Sequence, residues 1–190
     1  MSRADGLKRR KIAVLGSRSV GKSSLVLQFV ENNFVESYYP TIDNSVSKKL
    51  KYGGKEFECE IIDTAGQDEF SIFNAKHAIG IHGYVLVYSI ATQSSFDMIP
   101  IIYDKIVDFC GVRDIPCVIV GSKMDLQANR QVDAAAAEAL AQQSNAAYIE
   151  TSAKNDVNVA KVFELCLAEI EKKSAPSSPA TETKGSCSVM

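Results

Sequence analysis

One segment constrains the fold of this chain more than any other: Gly16-Ser17-Arg18-Ser19-Val20-Gly21-Lys22-Ser23. It follows an apolar run at residues 12–15 and precedes an amphipathic run at residues 24–30. A strand, a glycine-bounded loop and a helix in this order are typical of a phosphate-binding loop, because the curled backbone points N–H groups at phosphate oxygens beside the helix N-terminus. We expect Lys22 to reach the β- and γ-phosphates of a nucleoside triphosphate and the Ser23 hydroxyl to ligate Mg²⁺. A plain Gly/Ser turn between a strand and a helix is the alternative.

Length and composition are those of one soluble domain with a short extension. The 190 residues are 46% hydrophobic and 23% charged, enough to bury a sizeable core. A net charge of −2 gives no reason to expect nucleic acid as a partner. We expect neither a membrane span nor a signal peptide. The five cysteines lack C-x-x-C spacing, and all but Cys187 lie in apolar segments, as buried thiols of a cytoplasmic protein would.

Hydrophobic periodicity predicts strands that alternate with helices. Strands are predicted at residues 11–16, 45–52, 56–63, 83–90, 116–121 and 146–150. Helices are predicted at residues 22–31, 68–80, 95–109, 133–144 and 156–172, the third of them kinked at Pro100 or starting there. The second and third strands flank Gly53-Gly54 and form an antiparallel hairpin. The predicted fold class is α/β: a six-stranded, mostly parallel sheet with that one hairpin and helices on both faces.

The last residues differ in character from the rest of the chain. Residues 174–190 are rich in Ser, Thr and Pro and have no periodic apolar positions, so they cannot offset the entropy cost of ordering. We predict a folded domain at residues 1–173 and a disordered, hypervariable tail at residues 174–190. The tail ends in Cys187-Ser188-Val189-Met190, a C-a-a-X sequence whose terminal Met favours a farnesyl group on Cys187. A chance match of four residues is the alternative.

Two loops at strand ends suit the γ-phosphate of a nucleotide. Ligands of parallel sheets bind beyond the carboxyl ends of the strands, where Asp63-Thr64-Ala65-Gly66-Gln67 follows the third strand. Asp63 can hold Mg²⁺ through water, the Gly66 N–H can meet a γ-phosphate, and Gln67 can orient an attacking water. Thr41 offers a hydroxyl to Mg²⁺ and its backbone N–H to the γ-phosphate. An ordinary turn and an ordinary loop threonine are the alternatives.

Two further loops suit a guanine base. Asp125, in Ser122-Lys123-Met124-Asp125, can accept the two N–H groups of a guanine edge, and adenine lacks that pair of donors. In Thr151-Ser152-Ala153-Lys154 the Ala153 N–H can meet the guanine O6. The stems of Lys123 and Lys154 can flank the base, and Phe34 can cover it edge-on. Solvated charges and a core phenylalanine are the alternatives.

These four motifs, in this order and at these intervals, resemble those of small GTPases of the Ras superfamily over about residues 10–172. Within this superfamily, the chain is most similar to the Rheb family at residues 16–24, 40–44 and 63–73 and at the terminal Cys-Ser-Val-Met. Arg18 is the most distinctive residue, because Ras has glycine at that position. The resemblance implies a Ras-like P-loop G domain that binds GTP and GDP, hydrolyses GTP slowly and activates the TOR kinase complex.

The resemblance also implies the site residues. Nucleotide-binding residues would be Gly16, Arg18, Ser19, Val20, Gly21, Lys22, Ser23, Ser24, Phe34, Val35, Tyr38, Tyr39, Thr41, Gly66, Ser122, Lys123, Asp125, Ser152, Ala153 and Lys154. Catalytic residues would be Lys22, Thr41 and Gln67, and the Mg²⁺ residues would be Ser23, Thr41 and, through water, Asp63. The effector region would be Tyr38, Tyr39, Pro40, Thr41, Ile42, Asp43, Asn44, Ser45 and Val46.

Partners follow from the same resemblance. We expect an effector kinase of the TOR complex, a GTPase-activating protein, an exchange factor and a prenyltransferase, with the protein itself a monomer. The only cations near the tail are Lys172, Lys173 and Lys184, so one lipid gives weak, reversible membrane attachment. We therefore expect a cytoplasmic protein peripherally attached to endomembranes by its farnesyl group.

Three residues bear on activity. Ser122 stands where the family has Asn, whose amide contacts the base and the phosphate-binding loop. The serine hydroxyl is shorter and can keep only part of these hydrogen bonds, so we expect a roughly threefold to tenfold weaker nucleotide affinity. Tyr39 stands where the family has Asp, in the first of two switch loops, at about residues 35–44 and 66–77. Arg18 is expected to crowd the γ-phosphate and Gln67, which makes intrinsic hydrolysis slow.

Two other functions remain open from the sequence. A pseudo-GTPase scaffold that holds nucleotide without productive cycling is favoured by Arg18 and Ser122. An ATP-using P-loop kinase is disfavoured by the Lys-x-Asp and Ser-Ala-Lys pair of motifs.

Overall fold

The structure is a computed structural model that describes residues 7–36, 41–68 and 79–174. Its strands are β1 (Lys8–Gly16), β2 (Asn44–Tyr52), β3 (Lys55–Asp63), β4 (Gly83–Ser89), β5 (Cys117–Ser122) and β6 (Ala147–Glu150). Its helices are α1 (Lys22–Glu31), α2 (Gln93–Cys110), α3 (Ala134–Gln143) and α4 (Val159–Ser174), and a 3-10 turn spans Met124–Asn129.

The six strands form one sheet in the order β2-β3-β1-β4-β5-β6. Only β2 and β3 pair antiparallel, and every other neighbouring pair is parallel. The central strand β4 is buried along its whole length, as expected of a parallel strand covered on both faces. The predicted fold class, including the hairpin, is confirmed.

Apolar side chains fill two layers, one on each face of the sheet. The layer between the sheet and helices α1 and α4 includes Phe29 and Phe163, whose rings stack with centroids 4.1 Å apart. The opposite layer, under α2 and α3, includes Tyr88, whose ring meets Phe96 edge-on at 5.0 Å. Both faces of the sheet are therefore covered, and in parallel sheets of this kind ligands bind at the loops beyond the carboxyl ends of the strands.

Several predicted boundaries were wrong. Helix α2 begins at Gln93 and holds Pro100 in its interior, so the helix does not start at that proline. Helix α4 begins at Val159 rather than 156, because Ser152 and Val157 exchange backbone hydrogen bonds that hold the intervening residues in a turn. The 3-10 turn was not predicted. Most of the predicted helix at 68–80 lies outside the described residues, as do residues 175–190 of the predicted tail.

Four cysteines are free thiols in the described part of the chain. Cys59, Cys117 and Cys166 are buried and Cys110 is half-buried. Burial raises the pKa of Cys117 to about 12, so this thiol is unreactive at neutral pH. Across the described ranges, no helix has the length and apolarity that crossing a bilayer would require.

Candidate functional site

A cavity of about 300 Å³ opens at the carboxyl ends of the parallel strands. It brings together 15 of the predicted site residues: Arg18, Ser19, Gly21, Lys22, Ser23, Ser24, Phe34, Val35, Thr41, Gly66, Ser122, Lys123, Asp125, Ala153 and Lys154. Leu25, Glu36 and Thr151 also line it and were not predicted. Five other predicted site residues do not line the cavity: Gly16, Val20, Asp63, Gln67 and Ser152. Three more, Tyr38, Tyr39 and Pro40, lie outside the described residues.

The loop between β1 and α1 needs its two glycines. Gly16 has φ +151°, and a side chain there would overlap the Val87 carbonyl oxygen. Gly21 has φ +101° and caps α1, where no side chain accepts a hydrogen bond from the first turn. The first-turn N–H groups are therefore available to an anion at the positive end of the helix.

Lys22 is buried at the floor of this loop. Its Nζ donates to the carbonyl oxygens of Gly16 (3.0 Å) and Ser17 (2.8 Å). Burial lowers the pKa of Lys22 to about 8, against an opposing effect of Asp63. A polyphosphate in the cavity would favour the charged amine and raise this pKa again, which is the behaviour expected of a phosphate-binding lysine.

The residues predicted to hold Mg²⁺ fit such an ion. Ser23 Oγ and Thr41 Oγ1 lie 2.7 Å apart, although they come from different elements. Asp63 is buried, and its Oδ1 has no hydrogen-bond partner among the described residues. Burial raises the pKa of Asp63, while Ser23 and Lys22 oppose that rise. Two hydroxyls beside a carboxylate with an unpartnered oxygen are the hard oxygen donors that Mg²⁺ prefers.

Arg18 and Gly66 lie in close contact. A side chain at Gly66 would overlap Arg18 Cγ, so only glycine allows this approach. Arg18 Nη2 lies 3.6 Å from Asp68 Oδ2. Next to them, the Gln67 backbone N–H donates to Gly16 O (2.9 Å) and Gln67 Nε2 donates to Ala65 O (3.1 Å). Gln67 is thus buried and does not line the cavity among the described residues, so its predicted contact with a water there would need its side chain to turn toward the cavity.

Ser122, at the end of β5, connects the loop predicted to bind the base (the base loop, residues 122–125) to the loop between β1 and α1 (the phosphate loop, residues 16–23). Its hydroxyl lies within hydrogen-bond distance of the Val20 carbonyl and of the Tyr88 carbonyl, the latter at 2.8 Å. One hydroxyl has one proton, so it serves one of these carbonyls at a time. Lys123 adds a second connection, because its Nζ donates to Ser19 O at 2.7 Å.

The base end of the cavity is formed by two loops that bond to each other. Ser152 Oγ donates to Asp125 Oδ1 at 2.6 Å, which orients the carboxylate predicted to accept the guanine N–H groups. At the mouth, Lys154 Nζ pairs with Glu36 Oε1 at 2.9 Å. No local pattern marks Glu36, since an exposed acidic residue in a loop is ordinary, and its contact with Lys154 joins residues 118 positions apart.

Comparisons with known proteins agree with this geometry. Residues 11–172 match the family model described as the Ras family. The chain is 60% identical over 173 residues to GTP-binding protein rhb1 of Schizosaccharomyces pombe, over 91% of this chain and 94% of that protein. It is 54% identical over 178 residues to the small monomeric GTPase RhbA of Aspergillus fumigatus, over 93% and 95% of the two chains.

A more distant relative gives the same result. The chain is 46% identical over 183 residues to GTP-binding protein Rheb of Homo sapiens, over 96% of this chain and 98% of that protein. The family match and these relatives each cover most of the chain. This chain therefore belongs to the Ras family of small GTPases, as a GTP-binding, GTP-hydrolysing protein of the Rheb type.

Proposed function

We propose that this GTPase is a slow, Mg²⁺-dependent switch that, when GTP-bound at endomembranes, activates the TOR kinase complex in growth and nutrient signalling. One observation carries the proposal: a single cavity brings the phosphate loop, the Ser23–Thr41 hydroxyl pair and Asp125 together. These groups suit the phosphates, the metal and the guanine base of one nucleotide.

The proposed reaction is in-line attack of water on the γ-phosphate, with the leaving GDP held in place. Lys22 neutralises charge on the β- and γ-phosphates, and the Gly66 N–H holds the γ-phosphate. Ser23, Thr41 and, through water, Asp63 would hold Mg²⁺, and the bound ion would offset the charge of the phosphates. Gln67 orients the attacking water once its side chain has turned from Ala65 O toward the cavity.

Slow turnover is expected from the surroundings of Gln67. Arg18 occupies the space beside Gly66, so its side chain opposes the rearrangement that would bring Gln67 to the γ-phosphate. We find no arginine in the described residues placed as a transition-state finger, and we propose that a GTPase-activating protein completes the site. An exchange factor would reload the protein with GTP.

The proposed effector surface is the loop and strand that follow the phosphate-binding region. Ile42 is 89% exposed, and β2 is an edge strand of the sheet, so both are accessible to a partner. Asp43 Oδ1 accepts from the Ala65 N–H at 2.8 Å, which connects the first predicted switch loop to the residue just before the second. Loss of the γ-phosphate would therefore alter the effector surface.

The test of nucleotide identity is Asp125→Asn. An amide presents a donor where the carboxylate had an acceptor, so we expect GDP affinity to fall by about a hundredfold and xanthosine diphosphate to bind better than GDP. Competition binding on the purified full chain measures both. Asp108→Asn, an exposed carboxylate on α2, is the matched control and should leave the preference unchanged. An unaltered preference for GDP in Asp125→Asn would remove Asp125 from its role.

The metal is tested on the same protein. Chelation of divalent ions with EDTA should speed GDP release, and excess Mg²⁺ should restore slow release. If release is insensitive to both, the oxygen cluster at Ser23, Thr41 and Asp63 does not hold a metal with the nucleotide.

A further inference from the structure

A second polar cluster lies behind the base end of the cavity, and none of its members lines the cavity among the described residues. It consists of Arg130, Glu150, Gln127, Tyr148 and Tyr88, and we name it the Arg130 cluster. Arg130 follows the 3-10 turn Met124–Asn129, which carries Asp125. Glu150 is the last residue of β6, immediately before the loop that carries Ala153.

Arg130 uses all five of its guanidinium N–H donors. Nη1 and Nη2 each donate to one oxygen of Glu150 at 2.7 Å, in a bidentate pair. Nε and Nη2 donate to Gln127 Oε1 at 3.1 and 2.7 Å. Nη1 also donates to Val132 O at 3.1 Å. A lysine could not reproduce this fork, because its three donors sit on one nitrogen.

The cluster continues into the sheet. Tyr148 Oη donates to Glu150 Oε1 at 2.9 Å, and the Tyr88 and Tyr148 hydroxyls lie 3.1 Å apart. The side chains of Arg130 and Glu150 are 20% and 16% exposed, so their charges are only partly screened by water. Gly121 makes room for the cluster, because a Cβ there would lie 2.8 Å from the Tyr88 hydroxyl oxygen.

The 3-10 turn depends on such contacts for its position. None of its six residues is buried, so no apolar side chain anchors it in the core. Its N-terminal cap, Lys123, has a left-handed φ of 63°, and Leu126 departs from helical geometry. On the cavity side the turn is held by the Ser152–Asp125 hydrogen bond and by Met124 N–H donating to Thr151 O at 3.1 Å. On the far side it is held by Arg130.

We propose that Arg130 and Glu150 are positioning residues for base recognition: their bidentate pair fixes the 3-10 turn against the end of β6, so that Asp125 and the Ala153 N–H face the same base at a set separation. This inference rests on the proposed role of Asp125 as the guanine acceptor. It adds that discrimination between bases depends on a pair that never touches the nucleotide.

The experiment compares GDP with inosine diphosphate (IDP) on the purified full chain. IDP lacks the exocyclic amino group and offers Asp125 one N–H instead of two, so wild type should release IDP faster than GDP. In Arg130→Gln, a misplaced Asp125 should raise the GDP dissociation rate about tenfold and the IDP rate about threefold, reducing the discrimination about threefold. Glu150→Gln, which keeps the side-chain volume, should change the ratio in the same direction.

Arg10→Gln is the matched control. Arg10 pairs with Glu171 between β1 and α4 at 2.6 Å, with side chains 17% and 23% exposed, so its loss removes a similarly buried pair far from the base. Both arginine variants should lose thermal stability, and only the Arg130 variant should lose GDP-over-IDP discrimination. If Arg130→Gln and Glu150→Gln raise the GDP and IDP dissociation rates by the same factor, the Arg130 cluster contributes only to stability and the proposal is overturned. If the wild-type protein releases GDP and IDP at the same rate, the proposed role of Asp125 is wrong, and this inference is wrong with it.

Discussion

At the scale of single residues, Ser122 connects two of the loops that line the cavity. Ser122 is buried and its hydroxyl reaches the phosphate loop at the Val20 carbonyl. The connection between the base loop and the phosphate loop, which the sequence alone predicts to be only partly kept by serine, is therefore present. Its single proton leaves one of the two neighbouring carbonyls, Val20 or Tyr88, without this donor at any moment.

Ser122→Asn should slow GDP dissociation about threefold to tenfold, because an amide supplies two N–H donors and an acceptor where serine has one proton. Stopped-flow release of a fluorescent GDP analogue measures the rate. Ser94→Asn, on the exposed face of α2, controls for the added amide. An unchanged or faster release would mean that the surrounding network is adapted to serine.

Arg18→Gly should speed single-turnover GTP hydrolysis about threefold to tenfold without an activating protein, equivalent to about 0.7–1.4 kcal/mol of barrier. The reason is steric: removing the side chain frees the space beside Gly66 through which Gln67 must move. Arg113→Gly, in an exposed loop, is the control. Slower hydrolysis would show that Arg18 instead supplies charge to the transition state, and no turnover in either protein would favour a scaffold that holds nucleotide.

Among the elements, α4 is held at its C-terminal end by Lys173, whose side chain is mostly covered. Lys173 is 9% exposed and its Nζ lies 2.6 Å from Asp114 Oδ1. The same nitrogen donates to Ile115 O at 2.9 Å and to Asn145 O at 2.8 Å. Ile115 and Asn145 stand just before β5 and β6. Lys173 therefore ties the end of α4 to the loops at the amino ends of two strands.

Lys173→Met should lower the free energy of unfolding by about 1–3 kcal/mol, because two carbonyls and a carboxylate lose their shared donor. Urea unfolding of the GDP-bound protein measures the change, and the GDP dissociation rate should stay as in wild type. Lys172→Met removes a neighbouring lysine whose side chain is 64% exposed and should cost much less. If both variants lower the free energy of unfolding by the same amount, the contacts of Lys173 contribute no stability beyond those of the exposed Lys172.

At the scale of the whole molecule, the cavity and the C-terminal end of α4 lie at opposite edges of the sheet. The cavity lies at the carboxyl ends of the parallel strands, whereas α4 ends near their amino ends, beside the residues that Lys173 contacts. The chain after Ser174 thus starts from the edge of the sheet opposite the cavity.

Cys187→Ser should leave GDP binding and GTP hydrolysis in solution unchanged and should strongly reduce the membrane-bound fraction in cells. The predicted tail has no polybasic patch to hold the protein by charge alone. Signalling through the TOR kinase should fall with membrane attachment. Ser186→Ala, immediately before the motif, is the control. A membrane fraction equal to that of wild type would mean that something other than a farnesyl group anchors the protein.

Local patterns in the sequence were enough to predict the fold class and the order of the predicted nucleotide-binding loops, and the resemblance of those loops to known motifs indicated the family. These features depend on neighbouring residues: apolar periodicity distinguishes strands from helices, and glycines at set positions allow the curled loop between β1 and α1. The helix boundaries were less well predicted, because the turn before Val159 is held by backbone bonds between Ser152 and Val157 that no local pattern marks.

Contacts between polar side chains that are far apart in the chain could not be predicted from the sequence. Ser122 and Val20 are 102 residues apart in the chain, Lys154 and Glu36 are 118 apart, and Arg130 and Glu150 are 20 apart. Such contacts follow from strand order and register, which bring the ends of β1, β5 and β6 to one edge of the sheet. A charged residue in a loop has many acceptable partners in the sequence, and packing of the elements selects one of them.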